Sequence, residues 1–239
     1  GTFNFDLLNH ILHFDIRERY EFVRSINFND FKRLFELKVI SKYWIQAQEI
    51  TNIDSDFAFF KTHSANISSN GYDYTNKANT MGLIYLVRDP RDIAISYSKH
   101  LRKTINETIH IMTQQNALTY TESRYPSLMS RWDYHYLSWK NLDVPKLIIK
   151  YENLLDNTKL VVSDIIEFFK SNFNVNLHYD NDKFENIIQS TNFKKLQQDE
   201  KIYGFKEAKK SIFFRKGKDL QRKKELSDAQ QKTIEESFK

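Results

Sequence analysis

The stretch "LIYLVRDPRDIAISY", residues 83–97, decides how the rest of the chain is read. Leu83 to Val87 form an apolar run of strand length, halted at Arg88-Asp89-Pro90-Arg91-Asp92. Beyond that halt Ile93, Tyr97, Leu101, Ile105 and Ile109 recur in steps of four, the spacing of one helix face. Asp89 suits an N-cap, Pro90 suits the first helical position because its missing N–H is not needed there, and Asp92 adds a carboxylate to the first turn. The strand therefore hands over to the helix at once. Arg88 is left at the strand's carboxyl end, beside a helix N-terminus whose free N–H groups and dipole favour an anion. Ser96, two turns into the helix, can add a hydroxyl. The motif alone leaves a second reading open, an ordinary capped junction whose arginine pairs with a surface carboxylate.

Outward from this junction, strand and helix patterns alternate. "FAFFK" (57–61) reads as a short buried strand, followed by the polar segment 62–82, too long for an ordinary connection and so a candidate functional loop. "GLIYLV" reads as a second buried strand and "KLIIKY" (146–151) as a third. Helices are expected from Phe5 to about Leu12, from near Asn29 through "NDFKRLFELKVISKYW", around "SRWDYHYLSWK", over "TKLVVSDIIEFFKSNF" and from "YDNDKFENIIQ". Ser227 and Gln230 form a capping-box pair before the last one. Such alternation predicts an α/β fold with a central parallel sheet and helices on both faces, whose ligands bind at the carboxyl ends of the strands.

Composition narrows the function. With 239 residues and 40% hydrophobic content, one sizeable core and one domain over 1–239 are expected. The excess of Lys plus Arg (36) over Asp plus Glu (31) gives a net charge of +5, compatible with an anionic ligand and too small to argue for nucleic acid. The absence of cysteine excludes disulfides, thiolate zinc sites and a cysteine nucleophile, and permits a cytoplasmic location. No apolar stretch approaches the roughly 18 residues that span a bilayer, so no stable membrane insertion is expected. The start "GTFNFDLLNHILHFD" lacks the basic flank of a secretion signal. His10, His13, His100, His110, His135 and His178 show no metal-ligand spacing, and no metal is expected.

At this point the residues become recognisable. "YLVRDPRDIAISYSKHL" closely resembles the segment of the PAPS-dependent sulfotransferases that binds the 3′-phosphate of 3′-phosphoadenosine 5′-phosphosulfate (PAPS). Four further stretches match that family in the same order. "FFKTH" (59–63) resembles its Lys-Thr-His strand, "IIKYENLLDN" its strand followed by Tyr-Glu-Asp/Asn, "STNFKKL" its Thr-Ser-Phe segment, and "FFRKGK" its Arg-Lys-Gly loop. The likeness spans roughly residues 57–230, and the wording of 63–111 is closer to small bacterial members than to the animal cytosolic enzymes. "RWDYHYLSWK" also resembles a Trp-x-x-His-x-x-x-Trp helix of bacterial members, with Trp132, His135 and Trp139 read mainly as core.

The resemblance implies a P-loop-NTPase-like three-layer fold, PAPS as donor substrate, and a small- or medium-sized hydroxyl or amine acceptor. Arg88, Ser96, Arg215, Lys216 and the backbone of Gly217 would hold the 3′-phosphate. Tyr151, Thr191 and Phe193 would surround the adenine, and His63 would be the catalytic base. Physically, separate cations and a glycine N–H suit a polyanion. An imidazole with an ordinary pKa near 6.5 suits a base at neutral pH. Lys61, two residues before His63, would point to the same side of an extended strand and could orient the acceptor or stabilise developing charge. Acceptor walls are expected from roughly 64–80 and 100–130, which carry Tyr72, Tyr74, Tyr120 and Tyr125.

Two departures from the family pattern matter. A Pro-Lys/Arg-Ser-Gly-x-Thr-Trp phosphate loop is absent, and the five glycines, Gly1, Gly71, Gly82, Gly204 and Gly217, cannot supply it. That loop would fall at or before Gly1, with Thr2 in its tail, "FNFDLLNHIL" as the helix it opens, and the first strand upstream. Leu220 and Arg222 also stand where the family often has Gly and Trp. The sequence therefore leaves open a non-catalytic PAPS- or PAP-binding relative (PAP being the desulfonated product), a P-loop-class phosphotransferase, and a basic interaction module centred on 206–224.

Overall fold

The structure, a computed structural model, describes residues 3–4, 26–49, 59–120, 126–175, 180–205, 212–214 and 225–238. In chain order its elements begin with β1 (Phe3–Asn4), α1 (Phe28–Phe31), α2 (Leu37–Ile40), α3 (Trp44–Glu49) and β2 (Phe60–Lys61). Next come β3 (Leu83–Val87), α4 (Pro90–Leu101), α5 (Ile105–Met112), β4 (Leu118–Tyr120), β5 (Pro126–Leu128) and α6 (Trp132–Lys140). The remainder are β6 (Lys146–Lys150), α7 (Tyr151–Asp156), α8 (Thr158–Phe173), α9 (Asn181–Ser190), α10 (Phe193–Tyr203) and α11 (Asp228–Ser237). They fall into two compact units, Gly1–Leu83 with Ile111–Val144, and Ile84–His110 with Pro145–Lys239.

In the first unit β1 pairs in parallel with β2, Phe3 opposite Phe60 and Asn4 opposite Lys61. This corrects the expectation that "FNF" opens a helix: the backbone groups of Phe3 and Asn4 pair across to β2 instead of along the chain. The helix expected from Phe5 to about Leu12 lies outside the described residues. The helix expected from Asn29 is broken into α1, α2, a 3₁₀ turn at Ser41–Tyr43, and α3. Between α1 and α2 the backbone is extended at Glu36 (φ −90°, ψ 126°), whose carboxylate accepts from Arg33 Nε and Nη2 at 2.7 Å each. Val39 and Ile40 of α2, Tyr43 of the 3₁₀ turn and Ala47 of α3 bury one another in a single cluster with Ile26 and Leu34, which flank α1. Strands β4 and β5 pair antiparallel, a hairpin whose three-residue strands are too short to show a period in the sequence.

In the second unit β3 and β6 are hydrogen-bonded neighbours. Arg88, just past β3, lies against Tyr151, just past β6, so the carboxyl ends of the two strands are side by side and the strands run the same way. Their side chains alternate instead of being buried on both faces: Leu86 is 59% exposed, on the side shared by Ile84. The four-residue repeat from Ile93 to Ile109 does not make one helix. α4 ends where Arg102 adopts the left-handed conformation (φ 55°, ψ 43°), with the Lys103 N–H donating to Ser98 O at 2.9 Å. Thr104 and Glu107 then cap α5 reciprocally, the Thr104 N–H donating to Glu107 Oε2 at 2.8 Å and the Glu107 N–H to Thr104 Oγ1 at 3.3 Å. Both arms of the Ser227–Gln230 capping box are present at α11. That helix, with Glu225 just before it, is tied to α4 through Arg91–Glu235 (2.5 Å) and Lys99–Glu225 (2.5 Å), and to α5 through Gln230–Asn106 (2.7 Å). Among the described residues no helix is long and apolar enough to cross a membrane.

Candidate functional site

At the β3–α4 junction the cap forms as the sequence predicts. Asp89 Oδ1 accepts from the Arg91 N–H at 2.9 Å, with Pro90 at the first helical position and Asp92 buried. Arg91 is spent on this frame: its guanidinium donates to both Asp89 oxygens (2.9 and 2.7 Å) and to Glu235, and the hydrogen bonds to Asp89 above all raise its pKa. Arg88 is different. Its Nε is buried without a hydrogen-bond partner, and its guanidinium carbon stands 4.5 Å from the centre of the Tyr151 ring. An unpaired buried donor costs about 1–3 kcal/mol, so the chain keeps a guanidinium edge in a place where only an acceptor would satisfy it.

The structure thus brings Arg88 and Tyr151 together. One face of the tyrosine ring is taken by the guanidinium. Glu152, which sequence reasoning passed over, accepts the Asp89 N–H at 3.3 Å and sets a carboxylate beside the helix start. Ser96 is exposed on α4. Thr191 closes α9, its hydroxyl donating to Ile187 O at 2.7 Å. Phe193 opens α10 and packs edge-on against Phe214, ring centres 6.1 Å apart, which puts it next to the residue preceding Arg215. Arg215, Lys216, Gly217 and Thr2 lie outside the described residues, as do Tyr125, Leu220 and Arg222.

Lys61 and His63 belong to the first unit, at the end of β2, with His63 exposed. The chain just after them is held from one face of α6, where His135, Ser138 and Trp139 recur at helical spacing. His135 Nε2 meets His63 O at 3.2 Å, Trp139 Nε1 donates to Ser64 O at 3.0 Å, and the Asn66 N–H donates to Ser138 Oγ at 2.9 Å. From β5, Leu128 O accepts the Ala65 N–H at 2.7 Å and the Leu128 N–H donates to Ser64 Oγ at 3.2 Å. Burial pushes the His135 pKa down, favouring a neutral ring with Nε2–H as donor to the carbonyl.

Thr62 Oγ1 bonds to the Tyr74 hydroxyl at 2.6 Å, and Tyr74 is wedged edge-on between Trp44 (5.1 Å) and Trp139 (6.0 Å). Tyr74 therefore is not an exposed acceptor wall: it is 2% exposed and braces the strand end from below. Tyr72 and Tyr120 do reach the surface. The reading of His135 as core missed its polar role; the signal was present in the i, i+3, i+4 spacing of three hydrogen-bonding side chains.

The sulfotransferase domain profile matches residues 4–239 of the chain. Among solved structures the chain is similar to mouse sulfotransferase SULT7A1 complexed with PAP, at 20% identity and a TM-score of 0.58, covering 81% of this chain and 69% of that one. It is similar also to retinol dehydratase in complex with androsterone and inactive cofactor PAP, at 19% identity and a TM-score of 0.58, covering 97% and 67%. No curated protein sequence matches. At such identities the structural likeness carries the fold, a P-loop-like α/β architecture. The profile, which takes in the β3–α4 junction, the β2 strand end and α10, carries the family: the chain belongs to the sulfotransferase domain family.

Proposed function

We propose that the chain acts as a single PAPS-dependent sulfotransferase domain, moving a sulfuryl group to a hydroxyl or amine of a small or medium-sized acceptor. The observation that carries the reading is the buried, unpaired Nε of Arg88 at the β3–α4 junction. The 3′-phosphate is the acceptor that this donor lacks, with Ser96, Arg215, Lys216 and the Gly217 N–H as its other partners. Tyr151, Thr191 and Phe193 take the adenine. Because the Thr191 hydroxyl hydrogen is committed to Ile187 O, its oxygen serves as an acceptor for a purine amine. At the reacting centre an acceptor oxygen or nitrogen forms a bond to sulfur as the bond from sulfur to the 5′-phosphate oxygen breaks. PAP departs with that electron pair, His63 takes the acceptor's proton, and Lys61 offsets charge developing around the transferred group.

Calorimetric titration of PAP against adenosine 5′-phosphate tests the binding half. PAP is expected to bind tighter by about 2 kcal/mol, roughly 30-fold, with the difference lost in Arg88→Ala. Equal affinities in the wild type would refute the phosphate assignment. Turnover of PAPS over a panel of phenols, alcohols and amines tests the chemical half: His63→Ala is expected to lose turnover and keep PAP binding. PAP binding without transfer to any acceptor would favour the non-catalytic relative.

A further inference from the structure

His63 is exposed, yet both of its chain neighbours are tied down from the buried side. Thr62 Oγ1 accepts the Ser64 N–H at 3.0 Å and meets the Tyr74 hydroxyl at 2.6 Å, so one side-chain oxygen bridges across His63 and links that bridge to Tyr74. The Ser64 carbonyl is held by Trp139, whose ring also meets the Tyr74 ring edge-on. Tyr74 therefore touches one neighbour of His63 directly and the anchor of the other.

The backbone at Tyr74 is itself fixed by a chain of buried polar groups. Gln48 Nε2 donates to Tyr74 O at 2.6 Å and to Trp44 O at 3.0 Å, and Gln48 Oε1 accepts from Thr75 Oγ1. With the Thr75 hydrogen spent there, the Thr75 oxygen takes the Thr80 hydroxyl at 2.8 Å. Gln48 and Thr75 are both buried, so an amide or hydroxyl left unpaired here would carry the cost of its desolvation, and a network satisfied in this way specifies one arrangement. A phenylalanine would fill the same space between Trp44 and Trp139. What the tyrosine adds is a hydroxyl, and that hydroxyl goes to Thr62.

We infer that Tyr74 is a positioning residue for His63: through Thr62 its hydroxyl fixes the backbone from which the imidazole reaches the acceptor. This rests on the sulfotransferase reading above, in which His63 takes the acceptor's proton. A misplacement of about 1 Å in a reacting group can cost on the order of a hundredfold in rate. Nucleotide binding, assigned to other residues, is left alone.

The test measures transfer from PAPS to the best acceptor of the phenol, alcohol and amine panel, together with PAP titration and with thermal melting as a check on folding. It compares wild type with Tyr74→Phe, Thr62→Val, Thr62→Ser, His63→Ala and the Tyr74→Phe/Thr62→Val double variant. Tyr74→Phe is expected to lower kcat about tenfold with acceptor KM and PAP affinity unchanged. Thr62→Val breaks the same bond from its other end and should lower kcat at least as far, while Thr62→Ser, which keeps the hydroxyl, recovers part of the loss. Tyr74→Phe should add little on top of Thr62→Val, because both remove one bond. A wild-type kcat in Tyr74→Phe, a loss shared equally by kcat, KM and PAP affinity, or full additivity with Thr62→Val would overturn this inference alone. Turnover that survives His63→Ala, or no transfer by the wild type, would overturn the functional reading and this inference together.

Discussion

Replacing Arg88 by methionine separates a residue kept for a ligand from one kept for the fold. In the free protein the buried Nε without a partner is a burden of about 1–3 kcal/mol. The guanidinium's place over Tyr151 returns about 0.5–2 kcal/mol. Methionine removes the donor and keeps an apolar stem against the ring, so the two effects nearly cancel and the stability of Arg88→Met should lie within about 1 kcal/mol of wild type. Ligand binding moves the other way, because loss of a charge-assisted partner weakens PAP by about 2 kcal/mol, roughly 30-fold.

Denaturant unfolding with and without PAP reads both numbers in one experiment. At a PAP concentration 100 times the wild-type Kd, PAP stabilises the wild type by about 2.7 kcal/mol and, after a 30-fold weakening, the variant by only about 0.9 kcal/mol. A variant that loses more than about 2 kcal/mol when free, yet gains from PAP as much as the wild type does, would refute the argument: Arg88 would then be a structural arginine.

Other parts of the molecule give further tests. His135→Phe deletes the donor to His63 O and should lower kcat about tenfold with PAP affinity unchanged, while His135→Gln, which can still donate, recovers part of the loss; equal turnover in His135→Phe would remove it from the positioning of His63. Ser227→Ala breaks the capping box of α11 and should lower the unfolding free energy by about 1 kcal/mol, read as a lower denaturant midpoint at constant m-value. Glu36 has its pKa lowered to about 2, chiefly by its hydrogen bonds to Arg33. A depressed carboxylate pKa adds stability above the unfolded-state value, and that stability is lost as pH falls towards about 2. Arg33→Gln should therefore flatten the acid limb of the stability profile between about pH 4.5 and 2, and an unchanged limb would deny the pair any role.

What can be read from the sequence follows from how local each cause is. The β3–α4 junction is legible because Asp89, Pro90 and Asp92 act within one turn. The capping box at Ser227 and the 16-residue α8 are legible for the same reason. The α4–α5 break hides because residues four apart happen to continue across it, although Thr104 and Glu107 carry the start signal of the second helix. Tyr74 reads as an exposed loop aromatic since nothing beside it in sequence announces its bond to Thr62 or the flanking rings of Trp44 and Trp139. Glu200 is likewise silent: its carboxylate acts on backbone groups 13 and 14 residues away, which no periodicity encodes.

The most direct test of the central claim is a crystal structure of the chain with PAP. The 3′-phosphate should lie against Arg88, with a phosphate oxygen about 2.7–2.9 Å from the guanidinium edge that is unpaired in the free chain. PAP lying elsewhere, with Arg88 Nε still lacking a partner over Tyr151, would contradict it.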